Sequence, residues 1–267
     1  CAANVALNSS MLGGKTSLHC VGGDDYHSEV FEDLCKKKGI ELFRVKSGET
    51  IVKERCIESE LNHPLLRTDE GEFSLKPIEG EVKKQLYDSI HYSNIQAIIL
   101  SDYAKSIFLG DLAEEIIELC RERDIPIIAD PKPRNIKSFR KSTLICPNIK
   151  EAREMVNDFK SSEKEIAEKL KDIVESKYVI ITCGKKGIVG FDGSEFFEMP
   201  VKVKEIVDVT GAGDTVCAVL ALSLASGLSL KEGVFLANYS AGIVVEKQGT
   251  AGVGQEELIA RIRYGNV

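Results

Sequence analysis

Short apolar runs of strand character alternate with helical runs along this chain, and that alternation limits the folds open to it more than any other feature. "TSLHCVGG" (16–23) reads as a strand and turn, "YHSEVFEDLCKKKG" as a helix closed by Gly39, and "IQAIILSD" (95–102) as a buried strand. In "LGDLAEEIIELCRERD" the residues Leu109, Leu112, Ile116, Ile117 and Cys120 share one helical face; "IPIIAD" follows as another strand, and "YVIITCG" (178–184) is a third that ends in glycine. This order predicts an α/β fold, a three-layer αβα sandwich with a mostly parallel central sheet covered on both faces. Ligands of such folds gather at the carboxyl ends of the strands.

Two regions interrupt the alternation. Residues 41–70, "ELFRVKSGETIVKERCIES" and onward, alternate polar and apolar around a Ser-Gly turn and predict a small antiparallel β flap. "GIVGFDGSEFFEMP" (187–200) predicts a hairpin turning at Asp192-Gly193. The chain opens directly on a helical run, Ala2 to Leu12, without the strand and turn that would deliver the chain to it, so a preceding segment is expected.

With 267 residues, 43% hydrophobic and 29% charged, one large core suffices, and residues 1–267 are expected to form a single domain. A formal net charge of −7 argues against a polyanion-binding surface, and nucleic acid is not an expected partner. Eight scattered cysteines form no CxxC and no zinc spacing, which suits a reducing cytoplasm. No run approaches the roughly 18 apolar residues of a membrane span. A cytoplasmic protein without a membrane partner is expected.

The most informative stretch is "VDVTGAGDTV" (207–216). A third glycine would have to stand at Val216 for a dinucleotide fingerprint, and no Gly-Lys-Ser/Thr follows for a P-loop. Gly211, Ala212 and Gly213 can instead turn successive N–H groups into one concavity at the positive end of the following helix, an anion hole. Asp214 at its mouth has two readings: a base that accepts a proton from an attacking hydroxyl, or a simple helix cap. In "CPNIKEA", Asn148 and Glu151 offer oxygens suited to hydrated Mg²⁺ on a nucleotide, or form a capping pair. Asp102 and Asp130 each end an apolar strand, where carboxylates can receive sugar hydroxyls. Lys105 and Lys132 behind them, with Lys53 and Arg55 from the flap, could hold a phosphate, or could be solvated surface charges.

"VDVTGAGDTVCAVLALSLASG" resembles the C-terminal signature of the PfkB, or ribokinase-like, sugar kinase family, and the likeness runs along the whole chain. Within that family, "AANVALNSSMLG", "LSDYAKS", "IIADPK", "TLICPNIKEA" and "ANYSAGIVVEKQGTA" look most like bacterial heptose 7-phosphate kinase domains. The resemblance implies ATP and Mg²⁺ as cofactors, with transfer of a phosphoryl group to O1 of the heptose 7-phosphate on the route to ADP-heptose and lipopolysaccharide. It implies an ATP site at Thr182, Gly184 and Gly187, with Asn148, with Asn238 on the adenine side and with the phosphates at Gly211–Gly213. It places Asn4 on the sugar side, Glu151 near the metal, and a potassium ion at Asp208 and Thr210, whose competing reading is a structural turn. A homodimer through the flap is also implied. Two departures stand out: Cys1 where the family has a glycine, and His63-Pro64 in "LNHPLLRTD" where heptose kinases tend to be polar.

Overall fold

The computed structural model describes residues 2–46, 48–58, 64–71, 80–92, 94–105, 107–108, 110–203 and 205–265. Cys1, Leu109 and the His63 part of the flap turn lie outside them. Helix α1 (Ala2–Met11) leads into strand β1 (Thr16–Gly22), helix α2 (Tyr26–Lys37) and strand β2 (Ile40–Lys46). Strands β3 (Val52–Ile57) and β4 (Pro64–Glu70) follow, then α3 (Glu81–Tyr92), β5 (Ile98–Ser101), α4 (Leu112–Glu122) and β6 (Ile127–Asp130). After a 3₁₀ segment (Pro133–Phe139) come β7 (Leu144–Ile145), α5 (Ile149–Met155), α6 (Glu163–Val174), β8 (Tyr178–Thr182), β9 (Ile188–Phe191) and β10 (Phe196–Met199). The chain closes with α7 (Ala212–Ala225), α8 (Leu230–Val245) and α9 (Gln255–Tyr264).

Strands β5 to β8 run parallel, and β9 and β10 continue the sheet antiparallel, in the order β10-β9-β8-β7-β6-β5. Alternate side chains go to opposite layers, as a two-residue period requires. Ile128, Leu144 and Ile180 pack with α7 and α8, whereas Ile145, Val179 and Ile181 pack with α5 and α6, and Ile127 and Ala129 pack with α4. The sandwich is therefore built as its periodicity predicts. Helix α7 is buried on almost every side, between the sheet, α1 and α8, which is why its sequence is small and apolar all round.

The flap needs a correction. Residues 41–46 were expected within an antiparallel flap, but they form β2, which pairs parallel with β1 from Thr16↔Ile40 to Gly22↔Lys46. His19 and Phe43 stack across this pair at 4.5 Å. Only β3 and β4 pair antiparallel, in register from Val52↔Glu70 to Cys56↔Leu66. Alternation of residue types reports a strand and not its partner. At the base of the flap Thr50 donates its N–H to Asp25 Oδ2 at 2.8 Å, while Asp25 Oδ1 caps α2 through Ser28 N at 2.9 Å.

The hairpin of β9 and β10 forms as expected. Gly187 before it has φ +95° and its missing Cβ would lie 2.0 Å from the carbonyl oxygen of Met199. Gly187→Ala should therefore cost at least about 2 kcal/mol in denaturant unfolding, from both the left-handed backbone and the backbone clash. An unchanged midpoint would contradict this packing.

Candidate active site

Four strand ends converge on one edge of the sheet. β5 delivers Asp102 and Tyr103, β6 delivers Asp130 and Lys132, β7 leads to Asn148, and β8 ends at Thr182 beside it, bridged in parallel to Asn148. Helix α7 packs on β5 and β6, and its first turn faces this edge, since the Tyr103 hydroxyl lies 2.9 Å from Asp214.

Gly211 precedes α7 with φ +86°, a left-handed conformation that glycine takes without strain. A Cβ there would also lie 2.6 Å from Asn4 Nδ2, whereas a Cβ on Gly213 would meet nothing within 4 Å. Of the pair, Gly211 is the one the packing requires, since it lets α1 close in, while the space beside Gly213 is open. The first-turn N–H groups of a helix lack intrahelical acceptors, so this opening favours an anion.

Asp214 is 6% exposed, and it is held by elements far apart in sequence. Asn4 Nδ2 donates to its Oδ2 at 2.9 Å, and the Tyr103 hydroxyl donates to its Oδ1 at 2.9 Å. The capping alternative is not what is seen, since Gly211 is the N-cap residue and Asp214 lies inside the helix. Burial, followed by the charge of Asp214, pushes the Tyr103 phenol well above its ordinary range, so it stays protonated and remains a donor. Sequence reasoning missed Tyr103. An isolated aromatic in a loop has no periodicity, and its only signal was its place between Asp102 and Lys105.

Asp130 is a half-buried carboxyl raised to about 7, chiefly by burial and then by the charge of Glu151, with Asp214 adding to the effect and Lys132 opposing it. Burial alone would lower Lys132, but its 2.5 Å pair with Glu151, helped by Asp130 and Asp102, holds it above the usual lysine value. Its ammonium also sits 5.3 Å from the centre of the Tyr103 ring.

The remaining expected residues are placed differently. Asp102 is 1% exposed and accepts from Ala104 N (2.6 Å), Lys132 N (3.1 Å) and Asn135 Nδ2 (2.8 Å), so its carboxylate builds the turn after β5. Asn148 and Glu151 form a reciprocal capping box on α5. Asn238 is buried and donates to the Pro200 carbonyl at 2.8 Å, tying α8 to the chain after β10. Asp208 accepts from Thr210 N and Oγ1 at 2.9 and 2.7 Å and from Gly249 N at 3.0 Å, a closed turn whose hydrogen bonds, those from Thr210 first, hold the carboxyl below its usual range. The charge of the exposed Arg55 adds a smaller lowering effect at Asp208. Lys53 pairs with Asp69 at 3.2 Å, and Lys105 is half-buried.

The donor set can be tested against Mg²⁺. Among the described residues no cluster of three or more His, Cys, Asp or Glu could enclose a metal by itself. Oxygen groups at Asp130, Glu151 and Asn148 nevertheless line the edge, with Asp130 and Glu151 repelling each other. Excess carboxylate without a protein cage suits a hydrated cation that is largely held by phosphates.

The sequence matches the pfkB family of carbohydrate kinases over residues 1–257. It is 38% identical over 264 residues to the "Bifunctional protein HldE" of Coxiella burnetii, covering 96% of this chain and 54% of that protein. The protein of the same description from Campylobacter curvus is 33% identical over 270 residues, covering 98% and 57%. The chain thus spans about half the length of the curated relatives it matches. The fold is shared with Escherichia coli phosphofructokinase-2 solved in complex with potassium, with a TM-score of 0.78 and 18% identity over 99% of this chain and 87% of that one. It is shared as well with ribokinase from Thermotoga maritima, with a TM-score of 0.76 and 22% identity over 98% and 86%. Among the described residues no helix is long and apolar enough to cross a membrane. By profile and by identity to its relatives, this chain belongs to the pfkB family of carbohydrate kinases.

Proposed function

We propose that this chain transfers the γ-phosphoryl group of ATP to O1 of a D-glycero-D-manno-heptose 7-phosphate. The observation that carries the reading is Asp214, buried, doubly held and set one turn inside an open helix N-terminus. Phosphoryl transfer is mostly positioning and charge stabilisation. Asp214 accepts the proton of the acceptor hydroxyl as its oxygen bonds to the γ-phosphorus and the bond to ADP breaks. The amides of Gly211, Ala212 and Gly213 stabilise the charge that develops on the phosphoryl oxygens. Mg²⁺ would be held near Asn148 and Glu151 through water and phosphate, where it supplies positive charge to the nucleotide. Thr182 and Gly184 border the nucleotide, and Asp130 receives sugar hydroxyls. Potassium is proposed beside the Asp208–Thr210 turn, since a fold relative was solved with that ion.

Relatives named HldE support the heptose assignment, and the cations support a phosphorylated acceptor. Removing one charge-assisted contact should cost about 1.5 to 3 kcal/mol in acceptor binding. Lys105→Ala and Arg55→Ala should therefore raise KM for heptose 7-phosphate, leave KM for ATP nearly unchanged, and barely alter a slow reaction with unphosphorylated heptose. Steady-state kinetics with both acceptors checks this. Equal effects on the two would remove these cations from phosphate recognition.

A homodimer through the flap is proposed as well. Ile57, Leu65 and Leu66 on β3 and β4 are 50%, 71% and 58% exposed, an apolar surface that a second copy would cover.

A further inference from the structure

The buried Asp102, the turn it builds and Tyr103 form one device. Asp102 holds three donors from two segments: Ala104 N from its own turn, and Lys132 N and Asn135 Nδ2 from the segment after β6. Its own N–H donates to the Asp130 carbonyl at 3.0 Å, which extends the β5–β6 ladder into the loop. Ala104 is held at φ +54°, a conformation that a non-glycine residue adopts reluctantly, and Arg134 clamps its carbonyl from the 3₁₀ segment. A turn held against its own preference must be over-determined by its surroundings, and such turns concentrate at functional sites. Between the two clamped residues stands Tyr103, its ring under the Lys132 ammonium and its hydroxyl 2.9 Å from Asp214 Oδ1.

We propose that Tyr103 is a positioning residue that acts through Asp214, and that the Asp102 turn exists to aim it. The inference rests on the proposed role of Asp214 as proton acceptor. A carboxylate can rotate about its bond to Cβ, and proton transfer to it needs one defined orientation. With Asn4 fixing Oδ2 and Tyr103 fixing Oδ1, that rotation is blocked from both sides. The phenol stays protonated, and so it remains a donor to the Asp214 carboxylate. Asp130 lies close enough for the charge of Asp214 to act on it, and the Lys132 ammonium stands over the Tyr103 ring.

The test is Tyr103→Phe, assayed with MgATP and heptose 7-phosphate. The ring fills the same space, so the variant should fold and bind ATP like the parent protein, with a melting temperature only modestly lower because Asp214 Oδ1 loses a donor. Turnover should fall about tenfold, as expected for loss of a hydrogen bond to a charged group, with acceptor KM little changed. Should the Phe variant fold poorly, Asn135→Ala keeps the test open: it removes one donor from the Asp102 turn, keeps the phenol, and is expected to lower turnover with acceptor KM little changed. An unchanged turnover would overturn the inference, as would a rise in acceptor KM with kcat intact, which makes Tyr103 a substrate contact. If Asp214→Asn itself retained turnover, the proton-acceptor reading would fail first, and the two failures are distinguishable.

Discussion

Asp214→Asn should lower turnover by about 100-fold or more while fold and ATP affinity stay close to normal. The fold should survive for a specific reason. In the parent protein Asn4 Nδ2 donates to Asp214 Oδ2, so an amide at position 214 would oppose two donors if nothing moved. Asn4 Oδ1, however, is buried and has no hydrogen-bond partner in the structure. A flip of the Asn4 amide would turn that oxygen toward the new NH₂ group, and Tyr103 could still donate to the remaining oxygen. What cannot be recovered is the basicity, because an amide does not accept a proton at working pH. Single-turnover ADP formation and ATP titration check the two halves separately. Near-normal turnover would remove Asp214 from proton transfer.

Asp130→Asn should make the ligand-free protein more stable at pH 8 and less able to use its acceptor. The sign follows from linkage. Burial and the charges of Glu151 and Asp214 raise the Asp130 carboxyl to about 7, above the unfolded value near 4. Between roughly pH 4 and 7 the folded chain therefore binds more protons at this group than the unfolded chain, and stability falls as pH rises through that window. Above about pH 7 the destabilisation is complete, on the order of 2 to 4 kcal/mol. An asparagine carries no such charge. Denaturant melts should show the variant ahead of the parent at pH 8, with the gap closing toward pH 4, while acceptor KM rises or turnover falls. A carboxylate kept at a stability cost is the pattern of a functional residue, and a variant no more stable at pH 8 would deny that cost.

The layers were legible because β5, β6 and β8 are apolar runs and α4 is apolar on one stripe, so Ile127, Ile128 and Ala129 could be assigned to a sheet buried on both faces. Pairing was not legible. β2 has the alternation of a flap strand, yet its partner is β1, more than twenty residues earlier, and no local pattern encodes that choice. The glycine pair and Asp214 stood out because an acid beside an anion hole is electrostatically odd. Residues that looked equally chemical proved partly architectural: Asp102 builds a turn, Asn148 and Glu151 cap a helix, and Asn238 ties two segments together. Each of these is a polar side chain at an element end, where capping and catalysis draw on the same residue types. Tyr103 was invisible for the opposite reason, since its role comes from a contact with a residue 111 positions away.

The most direct measurement is ADP formation by the full native protein with MgATP and a panel of acceptors: heptose 7-phosphate, the unphosphorylated heptose, fructose 1-phosphate and ribose. The account predicts fast turnover with heptose 7-phosphate, far slower turnover with the other three, and loss of the fast reaction in Asp214→Asn. Fast turnover with fructose 1-phosphate or ribose and none with the heptose phosphate would contradict the acceptor assignment, and no ADP with any sugar would contradict the catalytic role of the site.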